Sequence, residues 1–252
     1  MTFRLSHSTL LLITLFAPLL AEEHLKFGQP QCAEPLLDKK FFVVCYDRAH
    51  RLPAWVGYAL TKGDATKKAT ARIGSFRADP SLQKGQRAES ADYAGKGYDI
   101  GHMAAANDFT RSVEAMKSTF VLTNAVPQTP GLNRGRWKQL EAAVHKHAAA
   151  HGTAWIYSGP VFAGGKPTKT IGRDKVAIPT HTYKVVLCVH PDGVKEMFGF
   201  VLPNVTKPTG AIDSYSVSVN QVEKLTGLDF FSALPADEQT RLERATKMIP
   251  ID

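Results

Sequence analysis

Short apolar runs set off by polar and turn-forming residues dominate the chain. FFVVCYD (41–47) and AWVGYALT (54–61) are rich in β-branched and aromatic residues and predict two strands joined by a turn around Pro53. STFVLTN (118–124), AWIYSG (154–159), THTYKVVLCV (180–189) and EMFGFVLP (196–203) predict four more. HPDGVK (190–195) separates the last two, and its Asp192-Gly193 pair marks a tight hairpin. Helical patterns lie between the strands. Residues 111–117 fit a short helix, and residues 133–150 fit a long one, preceded by Pro127 and Pro130 and stopped by Gly152. ANDF (106–109) reads as a loop entering a helix, with Asp108 as its cap. Ser218 and Gln221 form a capping box ahead of a further helix, and Pro235 opens a charged final one. Several antiparallel strands with interleaved helices predict an α+β fold, its mainly antiparallel central sheet flanked by helices. With no internal repeat or long linker, residues 22–252 read as one domain.

The first 21 residues stand apart from this pattern. Arg4 supplies a positive start, residues 10–20 are apolar apart from Thr14 and Pro18, and Ala21 ends the stretch. That is the layout of a secretory signal cleaved after Ala21, and it predicts a periplasmic or secreted protein with no membrane anchor after cleavage. Removing Arg4 with the signal leaves 30 basic residues against 23 acidic ones, a net +7. Such a surface attracts polyanions. An oxidising compartment permits one disulfide among Cys32, Cys45 and Cys188, and the short loop between Cys32 and Cys45 favours that pair. No cysteine pair or cysteine–histidine cluster has the spacing of a zinc site, so no structural zinc is expected.

The long helix carries the candidate chemistry. Asn133, Trp137, Glu141 and His145 recur every four residues and share a stripe, beside a second stripe of Leu140, Val144 and Ala148 that suits the core. On their own Asn133 reads as a helix cap, Glu141 as a solvated charge and Trp137 as packing. His145, His147 and His151 have helical spacing for a metal, yet no fourth donor is apparent. DIGH (99–102) presents His102 from a loop that uses a glycine. A histidine base, an amide oxygen and a carboxylate suit metal-assisted phosphodiester hydrolysis, with His102 as the base and Asn133 as an oxygen ligand for Mg²⁺.

These residues match a known pattern. Asp99-x-Gly101-His102 followed by TNAVPQTPGLNRGRWKQLE (123–141) resembles the DNA/RNA non-specific endonucleases of the ββα-metal, endonuclease G-like class. ARIGSFRADPSL (71–82) resembles the family segment that donates a phosphate-binding arginine, here Arg72, and further family blocks follow in order across residues 41–232. The resemblance implies a ββα-metal fold and Mg²⁺-dependent hydrolysis of DNA and RNA to 5′-phosphate ends, with Mn²⁺ able to substitute. His102 is then the general base, Asn133 the direct metal ligand, Glu141 a metal contact through water, Arg72 a phosphate clamp and Asn124 a supporting, substrate-side asparagine. The resemblance also allows a homodimer and an inhibitor protein as partners. Two positions depart from the pattern: Ile100 and His145 stand where the family has arginines. His145 is therefore expected at the phosphate as a titratable charge. The loss of two arginines opens an alternative, a catalytically weakened nucleic-acid-binding protein on the same fold. An exported hydrolase of another phosphodiester is a second alternative. The joint presence of His102, Asn133 and Glu141 favours an active nuclease.

Overall fold

The computed structural model describes residues 19–250, so the predicted signal lies outside the described residues up to residue 18. Seven strands form an antiparallel sheet: β1 (Leu37–Asp38), β2 (Val43–Asp47), β3 (Leu52–Leu60), β6 (Thr153–Val161), β9 (His181–Val189), β10 (Lys195–Pro203) and β11 (Ser216–Val217), in that spatial order. Two small sheets accompany it, β4 (Asp99–His102) with β5 (Ala125–Gln128), and β7 (Thr170–Ile171) with β8 (Val176–Ala177). The helices are α1 (Leu19–His24), α2 (Lys62–Thr66), α3 (Ser90–Tyr93), α4 (Val113–Ser118), α5 (Lys138–His151), α6 (Val219–Thr226) and α7 (Ala236–Arg244). Among the described residues no helix is long and apolar enough to cross a membrane.

The central strands read as near-continuous apolar runs because the sheet is covered on both faces. Along β9, Val186 and Cys188 join the core beneath α5, whereas Tyr183, Val185 and Leu187 join the opposite core. In β6 the same alternation sends Ile156 one way and Trp155 and Tyr157 the other. On the α5 side, Leu140, Val144 and Ala148 are buried against the sheet, as their stripe predicts. The opposite side is closed by Val219 and Val222 of α6, Leu242 of α7 and the segment following α1. Cys32 and Cys45 form the disulfide there, with Cα atoms 5.8 Å apart, and Cys188 is free and buried. A cross-link closing a loop of that length stabilises a fold by about 3 kcal/mol.

Three local expectations differ from the structure. The β2–β3 turn spans residues 48–51, with Arg51 in the left-handed region at φ 61°, and Pro53 lies inside β3 opposite Tyr46. The ladder shifts register between Cys45 and Tyr46, which tolerates a residue with no N–H to donate. STFVLTN (118–124) is no strand: it runs from the end of α4 through a 3₁₀ turn at Leu122–Asn124. Its hydroxyls are engaged otherwise, Thr119 Oγ1 donating to the nearby Met116 carbonyl at 2.8 Å and Thr123 Oγ1 donating to the distant Asp79 at 2.6 Å. The long helix begins at Lys138, preceded by a wide π-type turn over Leu132–Trp137 in which Gly135 leaves helical geometry (φ −104°, ψ −106°).

Candidate active site

β4 and β5 pair antiparallel from Asp99↔Gln128 to His102↔Ala125 and deliver His102 at the strand end. Gly101 is required by a close approach, since a Cβ there would lie 2.1 Å from Gln128 Oε1. The His102 ring is held between Phe76 and Phe120, with ring centroids 4.4 and 4.8 Å away. Trp137 is fully buried, as its packing role predicts, and its Nε1 also donates to the His102 carbonyl at 3.0 Å. One bond thus ties the site strand to the entry of α5. His102 Nε2 has no hydrogen-bond partner. Burial, and then the charge of Arg72, push its pKa down to about 3, so the imidazole is neutral.

A cleft of about 650 Å³ opens between this strand and the start of α5, lined by Arg72, Ile100, His102, Asn133, Arg134, Lys138 and Glu141, among others. The exposed Arg72 guanidinium lies 5.2 Å over the Phe120 ring, on the same aromatic wall as His102. Asn133 is no helix cap. Its Nδ2 donates to Asp99 Oδ2 at 3.0 Å, and Arg134 makes a two-pronged contact with the same carboxylate at 2.8 and 2.6 Å. These hydrogen bonds, Arg134 first, hold Asp99 below its usual pKa. An ionised carboxylate cannot donate, so the Asn133 nitrogen must face Asp99 and its Oδ1 is left as a free acceptor. Asp99 therefore orients a candidate ligand.

Glu141 reaches the same cleft from α5, and its Oε1 is buried without a hydrogen-bond partner. Burial raises its pKa, opposed by the nearby charge of Lys184. Lys184 is fully buried, 4.8 Å below the Trp137 ring, and donates to Ser158 Oγ at 2.7 Å. Burial lowers the Lys184 pKa, while Glu141 and Asp108 favour its charged form. Sequence reasoning missed Lys184 because it reads as an ordinary polar position in β9. The signal was its place among buried neighbours on a strand covered on both faces, where lysine is rare unless paired.

Two expected substrate contacts are not brought into the cleft. His145 points from α5 to Asp108, with Nδ1 2.8 Å from Oδ1, and its side chain is 13% exposed. Glu141 and His145 lie one turn apart, but the stripe drifts about 40° over four residues, which carries His145 out of the cleft lining. Asp108 is not a cap either: it is buried and accepts from Tyr58 Oη at 2.7 Å as well. Asn124 is fully buried. Its Oδ1 accepts from the Ala104 N–H at 2.8 Å and its Nδ2 donates to the Ala104 and Thr119 carbonyls at 3.1 and 2.9 Å. That makes Asn124 a staple beneath the His102 loop, not a substrate contact.

A large antiparallel sheet, with a small histidine-bearing hairpin facing a turn that carries Asn133 and the helix after it that carries Glu141, defines a nuclease of the ββα-metal class. Residues 20–237 match the family model for DNA/RNA non-specific endonucleases, and the chain belongs to that family. It is 34% identical to Nuclease C1 of Cunninghamella echinulata var. echinulata over 228 residues, covering 85% of this chain and 89% of the relative. It is 33% identical to the mitochondrial Endonuclease G of Homo sapiens over 214 residues, 81% of this chain and 72% of the relative. Its structure is similar to EndoG in a crystal structure of the EndoG/EndoGI complex that addresses EndoG inhibition (TM-score 0.79, 32% identity, covering 85% of this chain and 92% of that one). The chain is accordingly a nuclease, a phosphodiester hydrolase.

Proposed function

We propose that this chain is an exported, Mg²⁺-dependent, sugar-nonspecific endonuclease that hydrolyses DNA and RNA and leaves 5′-phosphate ends. One observation carries the reading: an unpartnered His102 Nε2, an unpartnered buried Glu141 oxygen and an Asn133 amide oriented by Asp99 line one cleft. A buried carboxylate oxygen without a donor costs about 1–3 kcal/mol or more, and in a native fold it wants an explanation. The donor set fits a hard cation. Mg²⁺ prefers oxygen ligands and keeps several waters, so Asn133 Oδ1 would hold it directly and Glu141 would hold it through water. Mn²⁺ shares that preference. Once bound, the ion would supply positive charge against the scissile phosphate and the leaving oxygen.

The chain's own residues do the rest. His102 accepts the proton of the attacking water at Nε2, which is unpartnered and is kept neutral by burial and by Arg72. An entering phosphate offsets the charge of Arg72, raising the basicity of His102 when the substrate is in place. Arg72 contacts non-bridging phosphate oxygens, and Lys138 and Arg134 extend a positive rim along the cleft. A grip made through phosphates carries no information about base or sugar, which accounts for indifference to both and makes binding salt-sensitive. The N-terminal 21 residues direct export to the periplasm or the medium.

The test uses the mature protein and His102→Ala, each incubated with plasmid DNA and with structured RNA, in Mg²⁺ and in excess chelator. Wild type cuts both polymers only with Mg²⁺. His102→Ala loses about 10²–10⁴-fold in turnover while retaining DNA affinity. Cutting in chelator, or wild-type turnover by His102→Ala, refutes the assignment.

A further inference from the structure

The far end of α5 carries a second group of donors. His147 lies six residues beyond Glu141, about 9 Å along the axis and on another face of the helix. It meets Cys188 and His190 from the end of β9, and one ligand atom from each of the three lies within 4.8 Å of the others. Glu196 on β10 is the direct cross-strand partner of Cys188. Its Oε2 is 3.0 Å from His190 Nε2 and 3.5 Å from His147 Nε2. His147 is buried at 6% exposure, yet its Nε2 has only the long 3.5 Å contact with Glu196 and no well-formed hydrogen bond. A buried imidazole nitrogen is normally satisfied, and the Cys188 thiol beside it is buried and outside the disulfide. The cluster borders an opening of about 300 Å³ lined by His147, His151, Glu196 and Lys247, which gives an ion a route in.

We infer that His147, Cys188 and His190, with the Glu196 carboxylate as fourth ligand, form a tetrahedral site for a divalent transition ion of the zinc class. Zinc bonds of 2.0–2.3 Å put tetrahedral ligands about 3.3–3.8 Å apart, so His147, Cys188 and His190 have to draw in by about 1 Å at their widest, and the Glu196 carboxylate, which Lys247 also holds at 2.9 Å, has to turn in from outside that group. Two imidazoles and a thiolate are borderline-soft donors that suit Zn²⁺ or Co²⁺ and not Mg²⁺, which wants oxygen. The site is therefore chemically separate from the cleft at Glu141. Binding releases the Cys188 proton and moves the His190–Glu196 contact onto the metal. It joins the last turn of α5 to the β9–β10 hairpin and braces the helix that presents Glu141. No spacing rule reveals it, because its ligands come from three elements and gather only in the folded chain.

Metal-free mature protein with its disulfide intact is titrated with Co²⁺ and then Zn²⁺ in excess Mg²⁺. The same titrations are run on His190→Gln, Cys188→Ser and Asn133→Ala. Co²⁺ at one equivalent gives a tetrahedral visible spectrum with a thiolate charge-transfer band, and Zn²⁺ displaces it. Zn²⁺ at a hundredfold excess over its Kd raises the Tm by about 5–10 °C. Cys188→Ser abolishes the thiolate band. His190→Gln weakens Zn²⁺ binding at least tenfold, because losing one of four ligands removes a direct bond, and it leaves Mg²⁺-dependent cutting unchanged. Asn133→Ala leaves the Co²⁺ spectrum as in wild type. A spectrum without the thiolate band, Zn²⁺ affinity unmoved by His190→Gln, or affinity lost only in Asn133→Ala overturns the inference. Should Cys188→Ser fail to fold, the half-buried His190 keeps the test decisive.

Discussion

The two faces of the central sheet are both buried and differently built. Facing α5, β6 and β9 present Ser158, Thr182 and Lys184, all buried, with the Glu141 carboxylate and Asp108 close by. Facing α6, the same strands present Trp155, Tyr157, Tyr183, Val185 and Leu187, closed by an aromatic cluster with Phe230 and Phe231. Burying an ammonium and carboxylates stabilises less than packing hydrocarbon of the same volume. Within β6 and β9 that cost falls on the face beneath the cleft, where Lys184 is buried. The polar face positions chemistry and the aromatic face supplies stability.

Adjacent residues of β9 sharpen the contrast. Lys184→Met leaves Glu141 and Asp108 without the buried cation between them, and an uncompensated buried charge costs about 3–5 kcal/mol. Glu141 then ionises less readily, so activity at neutral pH falls and the pH–rate profile moves to higher pH. Thermal melts and a pH series read both effects, and an unshifted profile separates Lys184 from the site. His145→Ala is milder. It strands Asp108 Oδ1 and costs about 1–3 kcal/mol of stability, with the KM for DNA unchanged because His145 is outside the cleft. The hydrogen bond to Asp108, followed by the carboxylate's charge, raises the pKa of His145 above 6.5 despite its burial. Its contribution is therefore full below pH 6.5 and fades as pH rises through the folded value, so the stability gap between wild type and His145→Ala narrows in alkaline buffer. A rise in KM would return His145 to the phosphate. Tyr183→Phe gives the smallest change. Its hydroxyl is buried without a partner, so removing it leaves activity unchanged and stability within about 1 kcal/mol or slightly higher. A large loss of activity there would dissolve the distinction between the faces.

Much of this was legible in the sequence. β6, β9 and β10 announce themselves by β-branched and aromatic runs, and the hairpin by Asp192-Gly193, because those signals are local. His102, Asn133, Glu141 and Arg72 were picked out by motif, and the fold gathers all four at one cleft. What the sequence did not reveal depends on which side chain meets which. Residues 118–124 carry strand-like residues whose hydroxyls and amide bond sideways. Asp99 orients Asn133 across 34 residues of separation, and Asn124 clamps a loop 20 residues away. Lys184 has the local look of a solvated strand residue. In each case the partner decides the role, and the partner comes from a distant part of the chain.

In the proposed function the polar face serves a cation held by Asn133. The most direct measurement is single-turnover plasmid cleavage as a function of Mg²⁺ concentration, for wild type and Asn133→Ala at one pH. Wild type is expected to show a saturable Mg²⁺ requirement, and Asn133→Ala a half-saturation point raised about tenfold or more. Superimposable Mg²⁺ curves would contradict it and leave Asn133 as no more than a partner of Asp99.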